Sequence, residues 1–315
     1  MDIGVIGTGM MGRNHLRIYS EMKLVDSVSV FDVNAKGAEE AARATGATAY
    51  KTMEQMLSRV DAVSICVPTP YHFAVAKDVI AKEIPALIEK PICQNAGEAQ
   101  RLVDLIPPGV NVGVGHIERF NPVVSEIVRI LKNPLYVEIK RHNPASSRVT
   151  GSSVVEDLMI HDIDIVFNLL FDGDCTMHSE GNADVCTALC NFGTVPVYLS
   201  ASRKSSKKIR MIYIEEEDCT IEGDLMTQEI SVYRKPSNYS MDSSRYVQDN
   251  IIEKVLINKR ESLKAELDTF VNCVKDDRQF PITAAQALRN MRICEQIVQQ
   301  TQDVASLQPK ILVAA

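Results

Sequence analysis

The sequence has no surplus of basic residues, since 34 lysines and arginines are set against 41 aspartates and glutamates, for a formal net charge of −7. This balance argues against a nucleic-acid-binding surface, which needs an excess of positive charge. No apolar run approaches the length of a membrane-spanning helix. The first apolar run has no basic region ahead of it, so the sequence does not predict a signal peptide. Internal repeats and low-complexity tracts are also absent.

The eight cysteines lack the spacing of a redox motif or a metal site. None forms a CxxC pair, and Cys186 and Cys190 have no second pair of ligands nearby at suitable spacing. Most of the cysteines lie in apolar runs, which predicts small buried side chains. We therefore expect a reducing, cytoplasmic compartment and no metal ion.

A glycine-rich turn follows the first apolar run, which ends at Ile6. It reads Gly7-Thr8-Gly9-Met10-Met11-Gly12, a helix-like stretch comes next, and a second apolar run ends in Asp32. This order is the dinucleotide-binding fingerprint in its proper structural context. The acid in this position accepts hydrogen bonds from a ribose 2′-hydroxyl and repels a 2′-phosphate, which predicts NAD in preference to NADP.

The three glycines of this turn each have a separate physical task. Gly7 permits the tight turn, Gly9 lets the backbone approach a pyrophosphate, and Gly12 lets the helix pack close to the strand. The N-terminus of the helix offers free amide donors and the positive end of its dipole to the phosphates.

The 315 residues suit two domains with sizeable cores. Alternating strand-like and helix-like segments up to Gly115 predict a doubly wound parallel sheet. A helical segment over Val154–Leu170 and successive strand-like segments from Thr176 to Ile257 predict an open, mostly antiparallel sheet. We therefore expect an α/β fold, with an NAD-binding Rossmann domain over residues 1–118 and a second domain over residues 119–315. The polar stretch Ser237–Arg245 predicts a loop.

Two strand ends carry further candidate residues. Pro68 and Thr69 follow a predicted strand and lie at the edge where ligands bind in such sheets, although prolines there also serve a rigid turn. Lys90 follows the next strand, within Glu89-Lys90-Pro91. An isolated lysine is more often a surface residue, but at this edge its pKa would be lowered and it would be suited to proton transfer.

A third candidate segment lies on the predicted helix. Asp157, His161 and Asp164 are spaced to share one face of an α-helix that is otherwise apolar. An aspartate that orients a histidine makes the other ring nitrogen a proton acceptor. A satisfied structural pair is an equally simple interpretation, and a metal site would need more ligands than this segment offers.

Together these motifs resemble the glucose–fructose oxidoreductase, inositol dehydrogenase and MocA oxidoreductase family over essentially the whole chain. The residues that carry the resemblance are the glycine-rich turn with His15, Pro68 with His72, Glu89-Lys90-Pro91, and Asp157 with His161 and Asp164. It implies a Rossmann domain followed by a domain for substrate binding and oligomerisation, whose large sheet builds homodimers or homotetramers.

By motif match, Lys90 and His161 are the expected acid–base residues, and Asp157 is expected to assist them and bind a sugar hydroxyl. The complete set of expected cofactor-binding residues is Gly7, Thr8, Gly9, Met10, Met11, Gly12, Asp32, Pro68, Thr69, His72, Glu89 and Lys90.

Finer matches resemble the nucleotide-sugar 3-dehydrogenase branch of this family, and in particular the UDP-N-acetylglucosamine 3-dehydrogenases. They are Gly115-His-Ile-Glu-Arg-Phe-Asn-Pro122 and the segment Asp157–Asp164. The expected reaction is NAD-dependent oxidation of the 3-hydroxyl of a UDP-sugar. Expected substrate-binding residues are Arg119, Asn121, Arg141, Arg148, Asp157 and His161, with the arginines suited to a diphosphate or sugar.

Two other functions remain open at this point. A polyol such as an inositol, or a dihydrodiol, would use the same Lys90 and His161. A cofactor-binding regulator without turnover is the alternative from another class, and the presence of Lys90, Asp157 and His161 argues against it.

Overall fold

The computed structural model describes residues 1–144, 152–235, 239–242, 245–248 and 251–302. Contacts between residues divide the chain into two compact units. Unit one comprises Met1–Phe120 with Arg260–Arg292, and unit two comprises Asn121–Lys259 with Ile293–Ala315. Residues 260–292 thus pack with the N-terminal part of the chain, and the functional division at residue 118 remains a prediction.

Unit one is built on a parallel sheet of six strands. In the strand order β3-β2-β1-β4-β5-β6, the chain builds outward from β1 to β3 on one side and from β4 to β6 on the other. Strands β4, β5 and β6 are buried at every residue, as expected for a parallel sheet covered on both faces. The bounds are β1 Asp2–Ile6, β2 Ser27–Phe31, β3 Thr48–Ala49, β4 Ala62–Ile65, β5 Ala86–Glu89 and β6 Val112–Gly115.

Helices alternate with these strands, and polar side chains cap several of them. Asn34, Thr52 and Asn95 each accept a hydrogen bond from a backbone N–H three residues later. Such caps satisfy amides that have no partner within the helix. The bounds are α1 Met10–Ser20, α2 Ala35–Thr45, α3 Met53–Leu57, α4 His72–Ile80 and α5 Ala96–Leu105.

Unit two is built on a sheet of eight strands in the order β16-β13-β12-β11-β7-β10-β9-β8. All neighbours are antiparallel except β7 and β10. Its strands are β7 Tyr136–His142, β8 Thr176–Gly181, β9 Val185–Phe192, β10 Val195–Ser202, β11 Ile209–Glu215, β12 Cys219–Asp224, β13 Glu229–Arg234 and β16 Ile251–Val255.

The helices of unit two include α6, Pro122–Ile130, and the segment that the sequence predicts over Val154–Leu170. That segment consists of a π-helical stretch Val155–Met159, the α-helix α7 Ile160–Ile165, and a second π-helical stretch Val166–Leu170. The first π-helical stretch packs on β7 and β10 at the centre of the sheet. Helix α8, Ser262–Lys275, belongs to unit one, and α9, Ala284–Gln302, includes residues of both units.

This architecture confirms the predicted fold class, with a doubly wound parallel sheet and a large, mostly antiparallel one. The prediction of a loop over Ser237–Arg245 is wrong in part, because β14, Tyr239–Asp242, and β15, Arg245–Gln248, form an antiparallel pair. Within the described part of the chain, no helix is both long and apolar enough to cross a membrane.

Candidate functional site

The strand order of unit one reverses between β1 and β4, which pair with each other in parallel. The carboxyl ends of both strands therefore flank a crevice at the position where open α/β sheets bind ligands. Gly7 follows β1, and Cys66 and Val67 follow β4. This crevice is the place from which the candidate site is built.

The backbone of the glycine-rich turn requires two of its glycines. Gly7 has φ +99°, and a Cβ on it would lie 2.7 Å from the Cys66 carbonyl oxygen. A Cβ on Gly12 would lie only 1.9 Å from the Gly7 carbonyl oxygen, so helix α1 approaches the turn too closely for any side chain there. A Cβ on Gly9, by contrast, would meet nothing within 4 Å. The space beside Gly9 is open, as close approach by a pyrophosphate requires.

Helix α1 begins at this open space without a side-chain cap and without an acidic residue in its first turn. The positive end of its dipole therefore lies at this space, where it favours an anion. A dinucleotide pyrophosphate fits this environment in both charge and shape.

Asp32 directly follows β2 and is held by the glycine-rich turn itself. Its Oδ2 accepts hydrogen bonds from the Thr8 backbone N–H at 2.6 Å and from the Thr8 hydroxyl at 2.8 Å. Its Oδ1 accepts a hydrogen bond from the Asn34 backbone N–H at 2.8 Å. The carboxylate is thus fixed beside the crevice.

A cavity of about 680 Å³ occupies the crevice. Three apolar side chains in its lining are strongly exposed, with Val33 at 95%, Met10 at 62% and Tyr71 at 61%. Exposed apolar surface beside a cavity is typical of a ligand site. The lining comprises Ile6, Gly7, Thr8, Gly9, Met10, Met11, Phe31, Asp32, Val33, Cys66, Val67, Pro68, Tyr71 and Val75.

Seven of the expected cofactor-binding residues line this cavity, namely Gly7, Thr8, Gly9, Met10, Met11, Asp32 and Pro68. Gly12, Thr69, His72, Glu89 and Lys90 are not part of its lining. The sequence did not single out Tyr71, which directly follows the predicted strand-end turn, or Val75, which lies in helix α4.

Glu89 ends β5 and forms a buried pair with His15 of α1. The His15 Nε2 lies 3.1 Å from Glu89 Oε1, and the Lys90 backbone N–H donates to Glu89 Oε2 at 3.3 Å. Burial acts to raise the pKa of Glu89, but the hydrogen bond from His15 and nearby positive charges outweigh burial and lower this pKa. Glu89 therefore connects helix α1 with the backbone at Lys90, and its contact with the cofactor stays a prediction.

His72, the first residue of α4, lies between two backbone carbonyls. Its side chain is only 1% exposed. Its Nδ1 lies 2.8 Å from the Pro91 carbonyl oxygen and its Nε2 lies 2.8 Å from the Val67 carbonyl oxygen. Both ring nitrogens face backbone carbonyls, and the contact of His72 with the cofactor stays a prediction.

In unit two, the helical segment with Asp157 and His161 begins with a capping box. The Ser153 N–H donates to Glu156 Oε2 at 2.9 Å, and the Glu156 N–H donates to Ser153 Oγ at 3.3 Å. Asp157 is partly buried, and His161 is 9% exposed. π-Helical turns occur often at functional sites, and here they lie on both sides of α7.

Asp162, which directly follows His161, forms a buried bidentate ion pair with Arg141 of β7. Arg141 Nε donates to Asp162 Oδ1 at 2.9 Å and to Oδ2 at 3.0 Å, and its Nη2 donates to Oδ1 at 2.7 Å. The Arg141 side chain is 1% exposed. Its guanidinium joins the sheet to α7, and the expectation that Arg141 contacts substrate stays a prediction. Sequence reasoning missed this pair.

The remaining expected substrate residues have varied surroundings. Asn121 is buried, and its side chain accepts from the Val123 N–H and donates to the Leu225 carbonyl oxygen, so it caps α6 and anchors a turn. Arg119 is half-buried and donates to Gln286 Oε1 at 3.3 Å. Arg148 lies outside the described residues.

Comparisons with known proteins agree with this arrangement. Residues 1–116 match the GFO/IDH/MocA family, described as an oxidoreductase family with an NAD-binding Rossmann fold. UDP-N-acetylglucosamine 3-dehydrogenase of Acidithiobacillus ferrooxidans is 31% identical over 288 residues, which cover 88% of this chain and 90% of that protein. An inositol 2-dehydrogenase of Cereibacter sphaeroides is 32% identical over 182 residues, which cover 55% of this chain and 54% of that protein.

Solved structures show the same similarity. A structure of UDP-N-acetylglucosamine 3-dehydrogenase from Acidithiobacillus ferrooxidans superposes with a TM-score of 0.86 at 28% identity, covering 96% of this chain and 98% of that one. A levoglucosan dehydrogenase in complex with NADH and levoglucosan has a TM-score of 0.80 at 16% identity, covering 96% and 97%. The second likeness is one of fold alone.

The glycine-rich turn, the uncapped helix and the fixed Asp32 account physically for the match to a dinucleotide-binding family. The 31% identity extends that relationship across 88% of the chain. The chain therefore belongs to the GFO/IDH/MocA family of oxidoreductases, which are NAD(P)-dependent dehydrogenases acting on CH–OH groups.

Proposed function

We propose that the protein is an NAD-dependent dehydrogenase that oxidises the 3-hydroxyl of a UDP-sugar, with UDP-N-acetylglucosamine as the favoured substrate. The observation that carries this proposal is the match to a UDP-N-acetylglucosamine 3-dehydrogenase over 88% of the chain and 90% of the relative. A match of that length includes residues of both compact units.

In this proposal the bound NAD supplies the hydride acceptor. His161 accepts the proton of the sugar hydroxyl at a ring nitrogen. The Lys90 ammonium polarises the same oxygen and relays the proton onward. Asp157 stabilises the charged form of His161 and binds a sugar hydroxyl. The alcohol carbon loses a hydride and its oxygen loses a proton, so the product is a 3-keto sugar.

The burial of the candidate groups supports these roles. His161 is buried, and Lys90 is half-buried at the end of a fully buried strand. Charged groups with little access to water interact more strongly with a reacting oxygen than exposed groups do. Among the expected substrate residues, Arg119 and Arg148 are proposed to bind the diphosphate or sugar, because a guanidinium donates in a planar fork that fits such oxygens.

Activity on the nucleotide sugar is the direct test. Purified enzyme at a concentration close to that of the substrate is mixed with NAD and UDP-N-acetylglucosamine, and NADH is followed by absorbance. Free N-acetylglucosamine and myo-inositol are tested in parallel. We expect NADH formation and the loss of two hydrogens by mass only for the UDP-sugar, because remote binding energy is lost with a truncated substrate.

The matches to inositol 2-dehydrogenases support the second candidate, a polyol dehydrogenase. These matches cover about half of this chain and about half of each relative. NADH formation with myo-inositol and not with the UDP-sugar would establish this alternative. NADH binding without turnover on any CH–OH substrate would point to a regulator.

Asp32 supports the choice of NAD as cofactor, and Asp32→Asn tests it. The variant removes the negative charge that repels a 2′-phosphate but keeps one acceptor oxygen for the ribose. We expect wild-type protein to bind NADH more tightly than NADPH, and the variant to lose about tenfold of that preference. Fluorescence titration with each cofactor measures the ratio without any substrate. Asp26→Asn, at an exposed carboxylate of the same unit, is the control, and an unchanged ratio in Asp32→Asn would contradict the assignment.

We further propose a homodimer or homotetramer formed through the eight-stranded sheet. Val185, Leu189 and Tyr233 are exposed on the sheet face opposite to the buried side chains. Such an apolar face is typical of a protein interface. A cytoplasmic location is also proposed, since none of the eight cysteines, which all lie in the described residues, is in a disulfide.

A further inference from the structure

His72 joins two loops that the sheet itself no longer connects. Strands β4 and β5 are parallel neighbours, and their pairing ends at Ile65 and Ile88. Strand β4 ends at Ile65, whereas β5 continues to Glu89, which still pairs with Gly115 of β6, and the segments that follow the two strands are separate loops. The His72 ring lies between them, with its Nε2 2.8 Å from the Val67 carbonyl oxygen and its Nδ1 2.8 Å from the Pro91 carbonyl oxygen.

The two loops contribute differently to the site. Val67 and Pro68 line the cavity beside the glycine-rich turn. Pro91 follows Lys90, whose proposed role is in proton transfer. A side chain that bonds to both loops therefore fixes the wall of the cofactor cavity relative to the backbone that carries Lys90.

The number of N–H groups on the His72 ring decides how many of the two contacts are hydrogen bonds. Carbonyl oxygens only accept hydrogen bonds, and a neutral imidazole has one N–H. Both contacts are hydrogen bonds together only when the ring is an imidazolium. Burial lowers the pKa of His72 and outweighs the Val67 and Pro91 carbonyls and the Glu89 carboxylate, which act to raise it.

We propose that His72 is a positioning residue, whose ring bridges the cofactor-cavity loop at Nε2 and the Lys90 loop at Nδ1, donating to one of the two carbonyls when neutral and to both when protonated. The effect on turnover rests on the proposed role of Lys90. The effects on loop protection and on cofactor binding do not depend on that role.

Two amide variants of His72 test the two contacts of the ring separately. The Asn amide nitrogen reaches about as far from the backbone as Nδ1 of histidine, and the Gln amide nitrogen reaches about as far as Nε2. His72→Asn thus keeps the bond to Pro91 and loses the bond to Val67. His72→Gln keeps the bond to Val67 and loses the bond to Pro91. Each variant leaves one loop tethered.

Backbone amide exchange followed by mass spectrometry, NADH titration and turnover are measured on each variant. His72→Asn should speed exchange in residues 66–70 and weaken NADH binding by about fivefold, with a smaller change in kcat. His72→Gln should speed exchange in residues 90–93 and lower kcat by about tenfold, with NADH affinity nearly kept. His178→Asn and His178→Gln are the matched controls at an exposed histidine of β8 and should leave all three readings unchanged.

Either of two results would overturn the inference. If both variants lose only thermal stability, or change exchange equally in both loops, then His72 is a packing residue and not a two-loop tether. If the exchange and NADH results follow the prediction but wild-type protein turns over no UDP-sugar, the tether stands and the proposed function fails.

Discussion

Lys90→Met is expected to lower turnover by about 10²–10⁴-fold, the usual contribution of a positioned acid–base group, while NADH affinity stays within about threefold. Methionine keeps most of the length and apolar volume of the lysine stem but has no ammonium. The side chain of Lys90 does not line the cavity beside the glycine-rich turn. Its loss should therefore affect the chemical step far more than cofactor binding.

Single-turnover formation of NADH on UDP-N-acetylglucosamine measures the chemical step, and NADH fluorescence measures binding. Lys82→Met serves as the control, because the Lys82 side chain is half-exposed and its Nζ lies 3.9 Å from Glu54 Oε1 in the same unit. Lys90→Arg is a second, sharper variant, since a guanidinium keeps the charge but does not give up a proton. Near-normal turnover in Lys90→Met would remove Lys90 from the mechanism, and an equal loss of NADH affinity would assign it to cofactor binding.

The N-terminal site could be predicted in detail because its causes are local. Gly7 is required by its positive φ, and Gly12 is required because a Cβ there would lie only 1.9 Å from the Gly7 carbonyl oxygen, and both constraints arise within a turn six residues long. The strand before the turn, the helix after it and Asp32 lie within one strand–helix–strand unit. A short stretch of sequence thus carries the whole geometric argument.

The partners of buried polar residues could not be predicted in this way. Glu89 and His15 are 74 residues apart in the sequence. His72 contacts its two partner residues only at their backbone carbonyls. A carbonyl has no signature in the sequence. Motif position therefore indicated that these residues matter, but only the fold shows that they support loops.

The helix with His161 shows a second limit. An α-helical period over Val154–Leu170 predicts the shared face of Asp157 and His161, whereas Asp157 lies in a π-helical turn and His161 in α7. Hydrogen-bond spacing inside a helical segment is set by how its side chains pack on the sheet, and apolar periodicity does not report it. The sequence pattern predicts correctly that the segment is helical. It does not predict which parts of the segment are α-helical and which are π-helical.

Removing only the arginine from the pair of Arg141 and Asp162 is expected to cause a large loss of stability in unit two. Arg141→Met leaves the Asp162 carboxylate buried without its arginine, and losing one partner of a buried pair costs about 3–5 kcal/mol of the free energy of unfolding. Both side chains are at most 2% exposed, so water does not replace the lost contact. Urea unfolding followed by circular dichroism measures this cost.

The double variant Arg141→Met with Asp162→Leu separates pairing from burial. Apolar side chains of similar volume avoid the desolvation of two charges, so the double variant should recover most of the stability that Arg141→Met loses. Breaking the exposed pair of Arg129 and Glu126 in the same unit by Arg129→Met should have little effect, because water screens it. A double variant as unstable as Arg141→Met would show that the two charges do not compensate one another. With stability restored, turnover of the double variant then reports whether this pair also sets the position of the neighbouring His161.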